Sequence, residues 1–394
     1  MPTADQFPVK WMHSHMPRAP MLSAQAGSYI AVLDAFLLTG WGAMTPQRVS
    51  VEGGVATVTC NVGDTFEPHM VIEVAGAEQP ELNGLHRVLA SMATSFTFAT
   101  DAADGYATGT ISIKAAAAGW EKVFAGENRA VYRSRSLRSS GVCFLVDDTE
   151  DHYAQVRGYT SMSSIDEGLG PFPSVEPALF WKSWTTGAGA LRYDFFADAM
   201  FAVCAVAASA GSLNAAIDVE PLCFGEPLVS PLPPDPYAAC VIGAAAQQHQ
   251  CGGVAGAESS IGTYMRAAFA AAAGGGASVS AEPRPYGTPQ GNAYRSGLCE
   301  KFGSPADGRP LVLGRQALHQ GDIWRAFVPG LYVCPQKNVA ALVEKRDTVR
   351  AAIGGETRVF IAQHINCWGY RNAATVAMYR GVFFVDITGP WREE

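Results

Sequence analysis

The sequence predicts a mainly β protein, and three observations predict it. Short runs of alternating apolar and polar residues recur along the chain, as in Arg48-Val-Ser-Val-Glu52 and Tyr106-Ala-Thr-Gly-Thr-Ile-Ser-Ile113. Turn formers are abundant, with 41 Gly and 24 Pro in 394 residues. Helical periodicity is clear in one place, near the N-terminus. The length suits two or three domains. The expected layout is an N-terminal helix, an inserted small antiparallel β-barrel and a larger β-sandwich-like domain.

Residues 1–20 carry four prolines and no period. They read as an extended N-terminal arm, disordered in a free subunit and laid on a neighbour in an assembly. Phe7, Trp11, Pro17 and Pro20 are its candidate assembly residues. Residues 21–46 read as a helix joining the main domain. Over 22–39, Ala26, Tyr29, Ile30, Leu33, Phe36 and Leu37 fall on one face. Ser23 can cap the start, and Gly40 and Gly42 stop the helix.

Residues 47–115 change to strands and form the inserted β-barrel domain. Arg48–Glu52 and Val55–Cys60 flank Gly53-Gly54, a strong hairpin signal because primed turns need positive φ. Ser95–Thr100 and Tyr106–Ile113 flank Asp104-Gly105 and predict a second hairpin. Val71–Val74 and His86–Leu89 lie between them, around Asn83-Gly84.

Residues 116–394 are the main β-rich domain. Ala130–Arg133, Val142–Val146, Ala154–Tyr159, Phe180–Trp184, Leu191–Phe195 and Met200–Val206 read as strands. Residues 244–280 are an Ala/Gly-rich excursion, in which Ala267–Ala273 could extend a helix before Gly274-Gly-Gly276. Strands return over 311–391.

Charged residues make up only 16% of the chain, against about a quarter in ordinary globular domains. A weakly charged surface is usually covered by neighbouring subunits. The formal charge is -8, which leaves no basic footprint for nucleic acid. The one arginine cluster is Arg129, Arg133, Arg135 and Arg138, which reads as a solvated face. Nine cysteines without a CxxC, mostly among apolar neighbours, read as buried free thiols of a protein assembled in a reducing cytoplasm. No signal peptide and no membrane span are expected.

Enzymes need convergent polar groups, and no nucleophile elbow, phosphate loop or dinucleotide fingerprint occurs. No enzyme activity and no cofactor are expected. Asp147-Asp148, with Glu150 and Asp151, is the densest acidic cluster and the candidate cation site, since hard cations want several carboxylate oxygens. A solvated turn is the plainer reading. His13-x-His15 puts two imidazoles on one strand face, but no third ligand lies nearby. Eight tryptophans could supply a platform that stacks on sugars.

Several segments resemble virion structural proteins of tailed bacteriophages and prophages. They are Arg18–Gly27 running into Ile30–Leu38 and Gly40-Trp-Gly42, Gly119-Trp-Glu-Lys122 then Ala130-Val-Tyr-Arg-Ser134 and Val146-Asp-Asp148, Val156–Met162 with Gly170-Pro-Phe-Pro173, Val328-Pro-Gly-Leu331, and the ending Phe384-Val-Asp-Ile-Thr-Gly-Pro-Trp391. They touch both ends and the middle, and the stretch 210–310 departs most. The insert, through Val74–Gly84, Phe96–Thr100 and Ala107–Ile111, is similar to a small β-domain first named in ubiquitin-activating enzymes, reused as a module.

The resemblance implies a structural part of a virion, in the tail at its tip, baseplate or nozzle. The expected partners are copies of the chain in a symmetric homo-oligomeric ring and other phage structural proteins, with assembly in the bacterial cytoplasm. Two alternatives stand beside it. One is a capsid decoration or head–tail adaptor protein. The other is a tail protein that recognises a host surface glycan.

Overall fold

The computed structural model describes residues 7–174, 176–183, 187, 189–207, 220–229, 239–243, 266–269, 278–280, 310–320, 323–334, 336, 339–369 and 377–392. The chain is mainly β, built from antiparallel sheets, one of them a half-barrel.

The half-barrel is the insert. Its eight strands run in the order Trp41–Met44, Gly109–Ala115, Val71–Ala77, Gly84–Met92, Ser95–Ala99, Val55–Thr59, Arg48–Glu52, Gly105–Tyr106. Strict alternation buries one face: Val49, Val51, Ala56, Val58, Phe96 and Phe98 point inward, and Ser50, Thr57 and Thr97 do not. The Gly53-Gly54 turn forms as expected, with φ of 57° and 79°. The second expected hairpin does not form. Ser95–Ala99 pairs with Val55–Thr59 and Gly84–Met92, and Gly109–Ala115 crosses to Val71–Ala77 and Trp41–Met44. Gly105–Tyr106 instead closes on Ser50 and Val51, and the Asp104 carboxylate accepts the Gly53 N–H at 2.9 Å. The Asp-Gly pair is a local turn signal, and the long-range partners of each strand override it.

A flanking sheet follows, ordered Trp120–Gly126, Arg129–Ser134, Cys143–Asp147, Tyr153–Met162, Gly168–Phe172, with Ala178–Trp181 also paired to Tyr153–Met162. The central sheet is ordered Lys10–His13, Tyr193–Ala197, Phe201–Val206, Glu220–Gly225, Cys240–Gly243, Arg266–Phe269, Ser278–Ser280. The C-terminal sheet is ordered Leu228–Val229, Ile323–Val333, Ala377–Asp386, Glu356–Gly369, Thr348–Ile353, with Gly314–Gln320 on Ile323–Val333.

Within the central sheet, Tyr193–Ala197, Phe201–Val206 and Cys240–Gly243 are buried on both faces, which is why Phe201–Val206 and Cys240–Gly243 read as unbroken apolar runs. Residues paired across an antiparallel ladder share a face. One face carries Met12, Phe195, Cys204, Leu222 and Phe224. Phe195 packs there on Tyr29 and Phe36, and Phe224 on Trp120, Phe144 and Phe180 of the flanking sheet. The other face carries Trp11, Phe196, Val203 and Cys223, in one apolar core with Val328, Leu331, Phe383 and Val385. Alternate residues of the C-terminal sheet, Tyr332, Phe360 and Phe384, form a second small core on its far side.

Two expectations at the N-terminus need correction. The described part of residues 1–20 is not an arm laid on a neighbour. Lys10–His13 is a strand of the chain's own central sheet, with Trp11 opposite Phe196. Trp11 is buried, Phe7 lies under the Arg87 guanidinium, and the Pro20 carbonyl accepts the Tyr193 hydroxyl at 2.6 Å. Pro17 is half-buried. Covering the sheet edge satisfies its backbone groups, and the segment removes Val9, Trp11, Met12 and Met16 from water, so self-packing wins.

The helix is also shorter than 22–39. Its α-helical part is Ser28–Leu33, and Asp34–Thr39 continues as a π-helix that Gly40 ends. Ser23 does not cap it; the Ser23 carbonyl accepts the Ser28 hydroxyl at 2.7 Å. The Arg266–Phe269 strand replaces the expected helix start at Ala267, and most of 244–280 lies outside the described residues.

Candidate functional site

The most concentrated buried chemistry sits where the short helix meets the flanking sheet. Asp148 follows the strand Cys143–Asp147, and Lys182 follows Ala178–Trp181. Both side chains are fully buried, and Lys182 Nζ stands 2.5 Å from Asp148 Oδ1. Lys182 also donates to the Gln25 carbonyl at 2.9 Å. Asp148 Oδ2 accepts the Tyr29 N–H at 2.7 Å and the Ile30 N–H at 3.2 Å. The helix start is thus capped by a carboxylate distant in sequence, one of whose oxygens satisfies two orphan N–H groups.

Gly27 precedes that helix at φ 79°, which turns the chain so that its N–H meets the Asp148 carbonyl at 2.9 Å. Burial pushes the Asp148 carboxyl above its ordinary range, while Lys182 and the two backbone N–H groups pull the other way. Tyr29 and Tyr132 stand near the same charge, and burial raises both phenols well above their usual value.

The Asp147–Asp148 cluster does not converge on a shared point. Asp147 faces outward, accepts from the Thr149 hydroxyl at 2.7 Å and pairs with Arg129 Nε at 3.4 Å. Both oxygens of Asp148 are taken. Among the described residues no group of three or more His, Cys, Asp or Glu side chains could hold a metal ion. The two histidines stay close, with the His15 N–H donating to His13 Nδ1 at 3.2 Å, but their remaining ring nitrogens meet different partners. His13 Nε2 meets Glu67 Oε1 at 2.9 Å, and His15 Nδ1 meets Arg346 at 2.6 Å. In the arginine cluster, Arg129 also pairs with Asp166 and Arg133 with Glu121.

Trp11, Trp41, Trp120, Trp181 and Trp391 are all buried, so none of them offers a stacking platform. The side chains of Trp184, Trp324 and Trp368 lie outside the described residues. Cys60, Cys143, Cys204, Cys223, Cys240 and Cys334 are buried and free, as the cysteine pattern implies.

A second buried joint gathers the ending motif and Val328-Pro-Gly-Leu331 with Arg358, which the sequence reading did not single out. Asp386 Oδ1 accepts from the Thr388 and Gly389 N–H groups, both at 2.9 Å, and Arg358 meets Asp386 Oδ2 at 3.1 Å. Trp391 Nε1 donates to the Asp386 carbonyl. Its indole lies on Gly330, where a Cβ would stand 2.0 Å from the ring. Arg346, from the turn before Thr348–Ile353, bonds Asp194 Oδ1 at 2.7 Å and ties the C-terminal sheet to the central one. Lys182 had a readable signal: a lone lysine inside Ala178-Leu-Phe-Trp-Lys is buried only if an acid meets it.

No protein-family model matches the chain, and no curated protein matches it. No helix among the described residues is long and apolar enough to cross a membrane.

Proposed function

We propose that this chain is a structural component of a tailed-phage virion, in the tail at its tip, baseplate or nozzle. It acts there by subunit packing in a symmetric ring with other phage structural proteins. One observation carries the reading. The segments that resemble phage structural proteins are the joints of this fold. Asp148 of Val146-Asp-Asp148 caps the helix begun by Gly27. Gly330 of Val328-Pro-Gly-Leu331 receives Trp391 of the ending motif, whose Gly389 lies on Val9.

A likeness concentrated in packing joints is a likeness of architecture, which suits a protein whose work is to hold shape. The surface agrees with this. Charged residues are few, and Val62, Met92, Leu137 and Leu169 are exposed apolar side chains available to a neighbour.

The test is mass spectrometry of separated heads and tails from intact particles, with copy numbers. The chain is expected in the tail fraction at a copy number that closes a ring. Recovery with heads at high copy would replace the tail reading with capsid decoration. Recovery in neither fraction would end the virion reading.

A further inference from the structure

We propose that Lys182 and Asp148 condense into an intramolecular isopeptide bond that joins the ends of Cys143–Asp147 and Ala178–Trp181, the strands on either side of Tyr153–Met162 in the flanking sheet. Four features of the site point to this. The Lys182 amine lies 2.5 Å from Asp148 Oδ1, one bond from the carboxyl carbon it would attack. Both groups are fully buried, so water that would compete as nucleophile or hydrolyse the product is kept out.

The other carboxylate oxygen, Oδ2, receives N–H groups from Tyr29 and Ile30 at 2.7 and 3.2 Å. Two backbone donors on one oxygen are what a tetrahedral intermediate needs to hold its negative charge. The Gln25 carbonyl accepts a second hydrogen bond from Lys182 Nζ at 2.9 Å and fixes the direction of the amine. The reacting groups are thereby held as one unimolecular pair, the condition under which effective molarities become very large. Burial adds to this by raising the Asp148 carboxyl towards its neutral form.

The step balances without an added reagent. One proton passes from the Lys182 ammonium to Asp148 Oδ1, giving a neutral amine and a neutral acid. Nζ then bonds to the carboxyl carbon, and the charge gathers on Oδ2 between the two N–H donors. A second proton moves from Nζ to Oδ1, the carbon–Oδ1 bond breaks and water leaves. Nζ keeps one hydrogen, and the amide carbonyl remains on the two donors that held the intermediate.

The experiment is intact mass of the purified full chain under denaturing conditions, followed by proteolysis. The chain is expected to be lighter than its sequence by one water, with a branched peptide joining the segments of residues 148 and 182. Lys182→Arg, which keeps the charge but supplies no amine nucleophile, should return to the sequence mass. A folded wild-type chain at full sequence mass, with residue 182 in a linear peptide, overturns the proposal. So does a loss of water located within a linear peptide, the mark of a cyclised aspartate. Should Lys182→Arg fail to fold, the wild-type mass and its peptide map decide alone.

Discussion

The half-barrel and the central sheet solve the same problem in opposite ways. The half-barrel covers one face and leaves the other to solvent, so its sequence alternates, and its first hairpin is written in the local pair Gly53-Gly54. The central sheet is covered on both faces by parts of the chain far away in sequence, and the N-terminal strand closes its edge. Its inner strands Phe201–Val206 and Cys240–Gly243 are uniformly apolar, and nothing local says what lies on either side. The difference teaches where each region's stability resides. In the insert it lies in neighbouring strands. In the centre it lies in contacts among the helix, the flanking sheet and the C-terminal sheet.

Substitutions can break or sharpen this contrast. Phe224 touches Trp120, Phe144 and Phe180 across a sheet interface. Phe224→Ala should cost about 3–5 kcal/mol in chemical denaturation. Hydrogen exchange should rise in the flanking and central sheets together; a rise confined to Glu220–Gly225 would break the picture of a shared core.

Arg358→Met should cost a similar amount, about 3–5 kcal/mol, because it strands the buried Asp386 carboxylate. Adding Asp386→Asn should recover part of that loss, and failure to recover any would show that the charge is not what matters there.

The same substitution at two glycines gives a direct comparison. Gly54 has φ 79° and open space beyond the Thr100 carbonyl, so Gly54→Ala meets only backbone strain, about 1–2 kcal/mol. Gly330 has φ 69° and the Trp391 indole against it, so Gly330→Ala should cost clearly more and shift the Trp391 fluorescence. Equal costs would mean that the indole moves aside freely.

The central thiols give a pH effect of known sign. Burial pushes Cys204 up to about 12 from an ordinary 9.0, with Tyr29 pulling weakly the other way. A thiol held protonated in the fold stabilises it fully below the unfolded value and progressively less above it, because the unfolded chain then releases the proton first. Denaturation midpoints should therefore fall from about pH 9 upward, less steeply in Cys204→Ala. Native Cys204, Cys223 and Cys240 should resist thiol reagents until the chain unfolds. The smallest effect belongs to the solvent face of the half-barrel, where Thr57→Ala should stay within about 0.5 kcal/mol.

The part of the site that was readable is the part with a local cause. Asp147-Asp148 stood out as an acidic pair, yet Asp147 ends its strand facing outward and Asp148, just past the strand, is buried against Lys182. Lys182 gave its burial away by its apolar neighbours, but not its partner. Ser23 looked like the helix cap by proximity, and a carboxylate from residue 148 fills that role instead. The N-terminal residues looked unstructured because prolines and an absent period describe a segment by itself, not one that completes another strand's edge.

By itself the sequence determined the β character, the Gly53-Gly54 hairpin, the inward face of the insert and the burial of the six described cysteines. Each follows from period, turn chemistry or hydrophobicity within a few residues. Only the tertiary structure decided the strand order of the half-barrel, the covering of the central sheet, the fate of the first strand and the meeting of Asp148 with Lys182. The physical reason is that register and pairing are settled by free energy summed over contacts between segments far apart in the chain, and no single segment carries that sum.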